Sequence, residues 1–251
     1  MNIPAESGPK SPVSEQERSE LKMDAGDFKE HGLYLLFTGG KRIVLTRARI
    51  EAFARNFAAN LEQLPTRIRA AAAFKPCPVC PEKERAKFCH ALPATLAFYE
   101  ELEAFKSYDK VSAVYRGSEP GLIWVPETTM QEALQFVAIL SLMYYCELGR
   151  KYRKLFLGVH PLVSMNEMNA RIHLNVFWDC GGDRQKTDQV LQSFFEEITC
   201  TCRCQVQRLR LVCRSDALMG AFVNIQSQIG YAAMSQGTLP EQSFAGFLED
   251  G

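Results

Sequence analysis

The chain has 251 residues, enough to bury a sizeable core as one large domain or two small ones, and its 29 basic residues balance its 29 acidic ones. With no net charge, the molecule as a whole has no electrostatic reason to seek nucleic acid or an anionic membrane surface, and a charged partner would need a local patch. The sequence carries no nucleotide loop, hydrolase elbow, kinase signature or metalloprotease motif, so no enzyme class that short motifs reveal finds support.

Residues 1–27 combine Pro4, Pro9 and Pro12 with Gly8, serines and mixed charge, and they hold no apolar run suited to a secretory signal; a disordered tail is expected. Two β-prone runs, 33–37 and 42–45, are joined by Gly39 and Gly40, which suit the positive φ of a tight hairpin. Thr46 stands where a helix N-cap belongs, and Ile50, Phe53, Phe57, Leu61 and Leu64 recur at steps of three and four before Pro65, predicting an amphipathic helix.

Cys77-Pro78-Val79-Cys80-Pro81 follows, and then Cys89-His90. A tight Cys-x-x-Cys loop, stiffened here by Pro78 and Pro81, can turn two sulfurs toward one ion, and Cys89 can return as a third ligand. The fourth could be His90 or a distant residue such as Cys146; Cys146 is preferred because adjacent side chains usually diverge. A second Cys-x-x-Cys, as in a true zinc ribbon, is missing. Zinc is the default ion, but thiolates alone do not separate zinc from an iron–sulfur cluster. Two other accounts stay open: buried free cysteines that merely pack, and a Cys77/Cys80 redox dithiol, which lacks the expected βαβ context. A cysteine nucleophile with His90, His160 or His173 as base is the enzymatic option, with nothing to fix its geometry.

Pro93 can sit in a first helical turn ahead of Leu96, Tyr99, Leu102 and Phe105, predicting a helix to about Lys106. Residues 111–115 and 122–125, separated by Gly117, Pro120 and Gly121, predict a second hairpin, and the four strands could form one antiparallel sheet. Thr129 and Glu132 have capping-box spacing before an apolar helix expected to run to Leu148 and stop at Gly149. Its apolar stretch, 133–146, is too short for a bilayer that needs ~20 residues. Arg150, Lys151, Arg153 and Lys154 then complement the negative end of that helix; a nucleic-acid surface is the weaker account.

Ile172, Leu174 and Val176 alternate with polar residues, favouring a strand over 171–178 that ends at Gly181-Gly182. Alternation around Cys200, Cys202 and Cys204 competes with a longer helical stripe through Leu191, Phe195, Ile198, Cys202, Val206, Leu209 and Cys213, so a helix is expected there. On that helix Cys202 and Cys213 join the core stripe, Cys200 and Cys204 lie one turn apart on another face, and Arg208, Arg210 and Arg214 form the wet face. These thiols read as packing residues that could also serve as adventitious ligands. A last helix carrying Leu218, Phe222, Ile225 and Ile229, capped by Ser215 or Asp216, precedes a frayed tail from 237 to 251.

The order of these features resembles an uncharacterised bacterial family known only as a domain of unknown function. The resemblance rests on the hairpin, the Cys-Pro-x-Cys-Pro segment, Phe88-Cys89-His90, Ser107-Tyr108-Asp109 with Val111, Cys146 after the apolar helix, Ala170-Arg171-Ile172-His173-Leu174, and Arg208-Leu209-Arg210 before Asp216-Ala217, over residues 33–230. It implies that Cys77, Cys80, Cys89 and Cys146 belong together and brings no activity. His90 in place of the usual proline, and the added Cys200, Cys202 and Cys204, depart from the pattern.

The sequence therefore predicts one α+β domain over 28–236, a small antiparallel sheet of two hairpins packed against a mainly helical C-terminal half. It is read as a cytosolic zinc-thiolate protein of regulatory or scaffolding type, its partner unidentified and a protein being the candidate. A thiol-redox or iron–sulfur protein using Cys77 and Cys80, and a metal-free helical interaction module, are the alternatives.

Overall fold

Four antiparallel strands, β1 (Gly32–Leu36), β2 (Arg42–Thr46), β3 (Lys110–Arg116) and β4 (Ile123–Thr129), make one sheet in the order β2-β1-β3-β4 in the computed structural model, which describes residues 28–118 and 121–234. The tails read at 1–27 and 237–251 lie outside the described residues. The chain divides after residue 30, and the architecture below is that of the unit beginning at His31. The first hairpin turns as its glycines require, with φ of 88° at Gly39 and 82° at Gly40. Strand β1 is central and reads as a continuous apolar run, whereas Pro126, which has no N–H for the ladder, falls in the edge strand β4.

Thr46 caps α1 (Arg47–Ala59) as expected, its hydroxyl accepting from the Arg49 N–H at 3.3 Å. That helix was expected to reach Leu64. It stops at Asn60, and a short 3-10 turn (Leu61–Gln63) follows, because Pro65 drives Leu64 to an extended ψ of 153°. The next helix, α2 (Thr66–Ala72), is one that apolar periodicity did not reveal, although Pro65 and the following alanines favour it. The single helix expected to end near Lys106 is two: α3 (Ala91–Leu96) and α4 (Tyr99–Leu102). Strict steps of three drift around a 3.6-residue turn, and the break at Phe98 lets Leu96, Tyr99 and Leu102 all stay buried.

The capping box at Thr129 forms: the Thr129 N–H and hydroxyl donate to Glu132 Oε2 at 2.9 and 2.8 Å, and the Glu132 N–H donates back. Burial pushes the Glu132 carboxyl up, but these donors outweigh it and hold the group below its ordinary value. Thr129→Ala is expected to cost about 1 kcal/mol, read as a lowered unfolding midpoint in urea with an unchanged slope. Beyond the box the expected single helix breaks into α5 (Met130–Ala133), α6 (Gln135–Leu140), a π turn (Ser141–Tyr145) and α7 (Glu147–Lys151). Gly149 does not stop a helix; it lies inside α7, where a Cβ would collide with the Leu142 carbonyl.

The strand expected over 171–178 is helical, part of α8 (Met165–Asp179), capped by the Ser164 hydroxyl accepting from the Glu167 N–H. The buried set is Met168, Ile172 and Val176, spaced by four, while Leu174 and Trp178 face solvent. The alternation was therefore incidental. Gly181 and Gly182, with φ of 64° and 81°, end the segment where expected, but it is a helix that they close and not the strand. The long helix expected through the cysteine-rich segment is present as α9 (Arg184–Val212), with Leu191, Phe195, Ile198, Cys202, Val206 and Leu209 buried. Helix α10 (Ala217–Met234) packs along it and buries Leu218, Phe222, Ile225 and Ile229. The Asp216 carboxylate takes the N–H and hydroxyl of Ser107, both at 2.9 Å, tying the start of α10 to the approach to β3. Among the described residues, no helix is long and apolar enough to cross a membrane.

Candidate metal centre

Between α2 and α3, residues 73–90 cross the face of α9 with turns but no regular helix. The Cys77-Pro-Val-Cys80 segment is a tight turn in which the Cys80 N–H donates to the Cys77 carbonyl at 2.9 Å. Facing it, Cys200 and Cys204 stand one turn apart on α9. The sulfurs of Cys77, Cys200 and Cys204 all lie within 4.8 Å of one another, the one such group of metal-capable side chains among the described residues. Around a tetrahedral zinc with ~2.3 Å bonds, sulfurs sit about 3.8 Å apart, so this trio needs only a small contraction to grip an ion.

Cys77, Cys80, Cys89, His90 and Cys146 all line a single cavity of about 150 Å³, closed on its far side by Thr201, Gln205 and Arg208 of α9. Three separate devices bring these residues together. The turn carries Cys77 and Cys80. Cys89 accepts at its backbone carbonyl the Leu92 N–H that starts α3. Cys146 sits at the break made by the π turn, where the Cys146 N–H donates to the Ser141 carbonyl and ψ swings to 127°. Val79 of the turn and Cys89 pack on Ala91, Cys146 and Leu148, so the loop is seated on α7 as well as on α9. His90 Nδ1 lies 3.1 Å from Glu147 Oε1 and its side chain is half exposed. His160 and His173 are elsewhere: the first accepts the Leu162 N–H and the second contacts the Asn169 carbonyl, so neither is placed to serve a thiol in the cavity.

Electrostatics divide the thiols. A hydrogen bond shared with Cys204, followed by burial, pushes the Cys77 thiol far up, while the same bond and the nearby Arg208 charge bring Cys204 below its ordinary value. Burial pushes Cys80 up, with the nearby Cys89 and Cys77 adding to it; it pushes Cys146 up to about 11, with Cys89 and Cys80 adding to it. Cys202, fully buried in the α9 stripe, is also pushed far up by burial. Cys213, at the other end of α9's cysteine run, reaches about 12 through burial and the Glu103 charge.

Arg208 was expected on the wet face of α9 and is instead 2% exposed. Its Nη2 donates to the Lys75 carbonyl at 2.9 Å and its guanidinium lies over the Phe74 ring, but Nε and Nη1 have no partner. Burying a cation with two donors unmet is costly unless negative charge lies close by. Gln205, fully buried, donates Nε2 to the Cys89 sulfur at 3.0 Å and leaves Oε1 unmet. The sequence signal for both was their spacing from Thr201 on one helical face. The basic run at the end of α7 and just beyond it is neutralised locally: Arg150 pairs with Glu147, Lys151 with Glu197 and Lys154 with Asp179, and Arg153 lies 4.1 Å over the Tyr144 ring.

The site defines a buried thiol cluster that could bind a metal, in an α+β protein. No protein-family model, curated protein or solved structure matches the chain.

Proposed function

We propose that the chain is a metal-binding protein of regulatory or scaffolding type, in which thiolates hold zinc and tie the 73–90 loop to α9. The observation that carries this reading is the trio of sulfurs within 4.8 Å, supplied by two segments more than a hundred residues apart in sequence. Support also comes from Arg208, whose unmet N–H groups suit a site made negative by thiolates. A bound ion would contribute folding energy directly, since the ligands lie on elements that are otherwise joined only by packing and a few hydrogen bonds such as Arg208 to the Lys75 carbonyl. The ligand set implied by the bacterial family resemblance, Cys77, Cys80, Cys89 and Cys146, is part of the same proposal.

Elemental analysis of protein purified without oxygen tests it, comparing wild type with Cys77→Ser and Cys204→Ser. Zinc in the wild type, at one or more ions per chain and depleted in both variants, is the expected result. Wild-type protein free of metal would refute the reading and favour the metal-free interaction module. Iron with visible absorbance would replace zinc by a cluster.

A further inference from the structure

Six thiols converge on this region, and they fall into two sets of three. Cys77, Cys200 and Cys204 form the tight trio. Cys80, Cys89 and Cys146, whose sulfurs do not all lie within 4.8 Å of one another, line the α3 and α7 side of the cavity as a looser set, where Cys89 packs against the small cluster of Ala91, Cys146 and Leu148. No fourth sulfur, histidine or carboxylate among the described residues comes within 4.8 Å of all three members of the tight trio, so one four-coordinate ion does not account for both sets.

Given the zinc-thiolate reading above, we infer that the centre is binuclear: two divalent zinc-like ions held by Cys77, Cys200, Cys204, Cys80, Cys89 and Cys146. Two tetrahedral ions need eight metal–ligand bonds. Six thiolates supply eight when two of them bridge, and we assign that role to Cys77 of the tight set and Cys80 of the looser one, which share a single tight turn.

The charge balance agrees with the surroundings. Two dications and six thiolates leave a net charge of two negatives, and the buried Arg208 guanidinium, with Nε and Nη1 unmet, sits on the cavity wall beside it. Gln205 already donates an N–H to the Cys89 sulfur, the kind of contact that orients a ligating thiolate from outside the metal's own bonds. A buried arginine and a buried glutamine, both incompletely bonded and both lining the same cavity, point to an occupant more highly charged than water.

Native mass spectrometry with elemental analysis on the full chain tests the stoichiometry, using protein isolated without oxygen and also metal-free protein reloaded with zinc alone. Two ions per wild-type chain are expected. Cys200→Ser and Cys89→Ser, which act on different trios, should each reduce the count from two to one, and Cys180→Ser, outside the cavity, should leave it at two. The wild-type count decides the matter even where a variant folds poorly. A single ion in the wild type, whatever the variants do, would overturn the binuclear centre and leave the zinc-thiolate reading standing. A wild type that neither retains nor takes up zinc would overturn both. Iron with acid-labile sulfide in the isolated protein would overturn the two-zinc centre in favour of a cluster.

Discussion

Removing zinc with a competing chelator is expected to lower the melting temperature by roughly 8–16 °C while leaving most of the helical signal intact. A ligand present at a thousand times its dissociation constant stabilises by about 4 kcal/mol, and each kcal/mol shifts a domain of this size by about 2–4 °C. Complete unfolding, as in a zinc finger, is not expected, because the main core runs from Leu33 in β1 to Ile229 in α10, and the one cysteine among its buried members, Cys202, is not a proposed ligand. The loss should concentrate in residues 73–90, which have turns but no regular helix of their own and carry the candidate ligands Cys77, Cys80 and Cys89. Hydrogen exchange would then show that loop, and the facing turn around Cys200 and Cys204, losing protection ahead of the sheet. Uniform loss of protection across the sheet and α10 would contradict a local fastening role. An unchanged melting curve would mean that no bound ion stabilises the fold.

Gly149→Ala is expected to be as damaging as any substitution outside the cysteines, costing at least ~3 kcal/mol, the upper end of overpacking penalties. The added methyl would strike the Leu142 carbonyl and come within 2.6 Å of its carbon, and that backbone belongs to the π turn that sets up Cys146. Relief requires α7 to move away from the π turn, and Cys146, only three residues earlier, moves with it. The expected outcome is therefore double: a melting temperature about 6–12 °C lower, and a reduced metal content measured on the fraction that remains folded. Gly230→Ala is the matching control. It is a helical glycine in α10 with nothing within 4 Å of the built Cβ, and alanine there should be neutral or stabilise by about 0.5–1 kcal/mol. Equal effects at the two sites would show that the close approach of α7 to the π turn is not the cause.

Local chemistry made much of the fold readable. The Gly39-Gly40 hairpin, the Thr46 and Thr129 caps and the Gly181-Gly182 stop each depend on a few adjacent residues, and each forms where the sequence indicates. The stripe from Leu191 to Leu209 outweighed the short cysteine alternation because a long helix has many positions that must agree on one face. Local patterning misled where few residues carried it. Three alternating apolar positions at Ile172, Leu174 and Val176 suggested a strand, but the Ser164 cap and the spacing of Met168, Ile172 and Val176 decided for a helix. The mostly apolar run from 133 to 146 gave no sign of the π turn, since apolar content is the same whether the backbone bonds to the fourth or the fifth residue back.

By itself the sequence determined that Cys77, Cys80 and Cys89 are candidate ligands by their spacing, and that Cys200 and Cys204 share a helical face away from the core stripe. Both follow from spacing and helical period alone. Only the tertiary structure decided that this face meets the Cys77 turn, that Cys146 is delivered to the same cavity by a break in its helix, and that Arg208 is buried beside them. The physical reason is that a helix's period tells which residues share a face but not what the face will touch. That is settled by the packing of α2 and α9, which lays the loop of residues 73–90 across Thr201, Gln205 and Arg208.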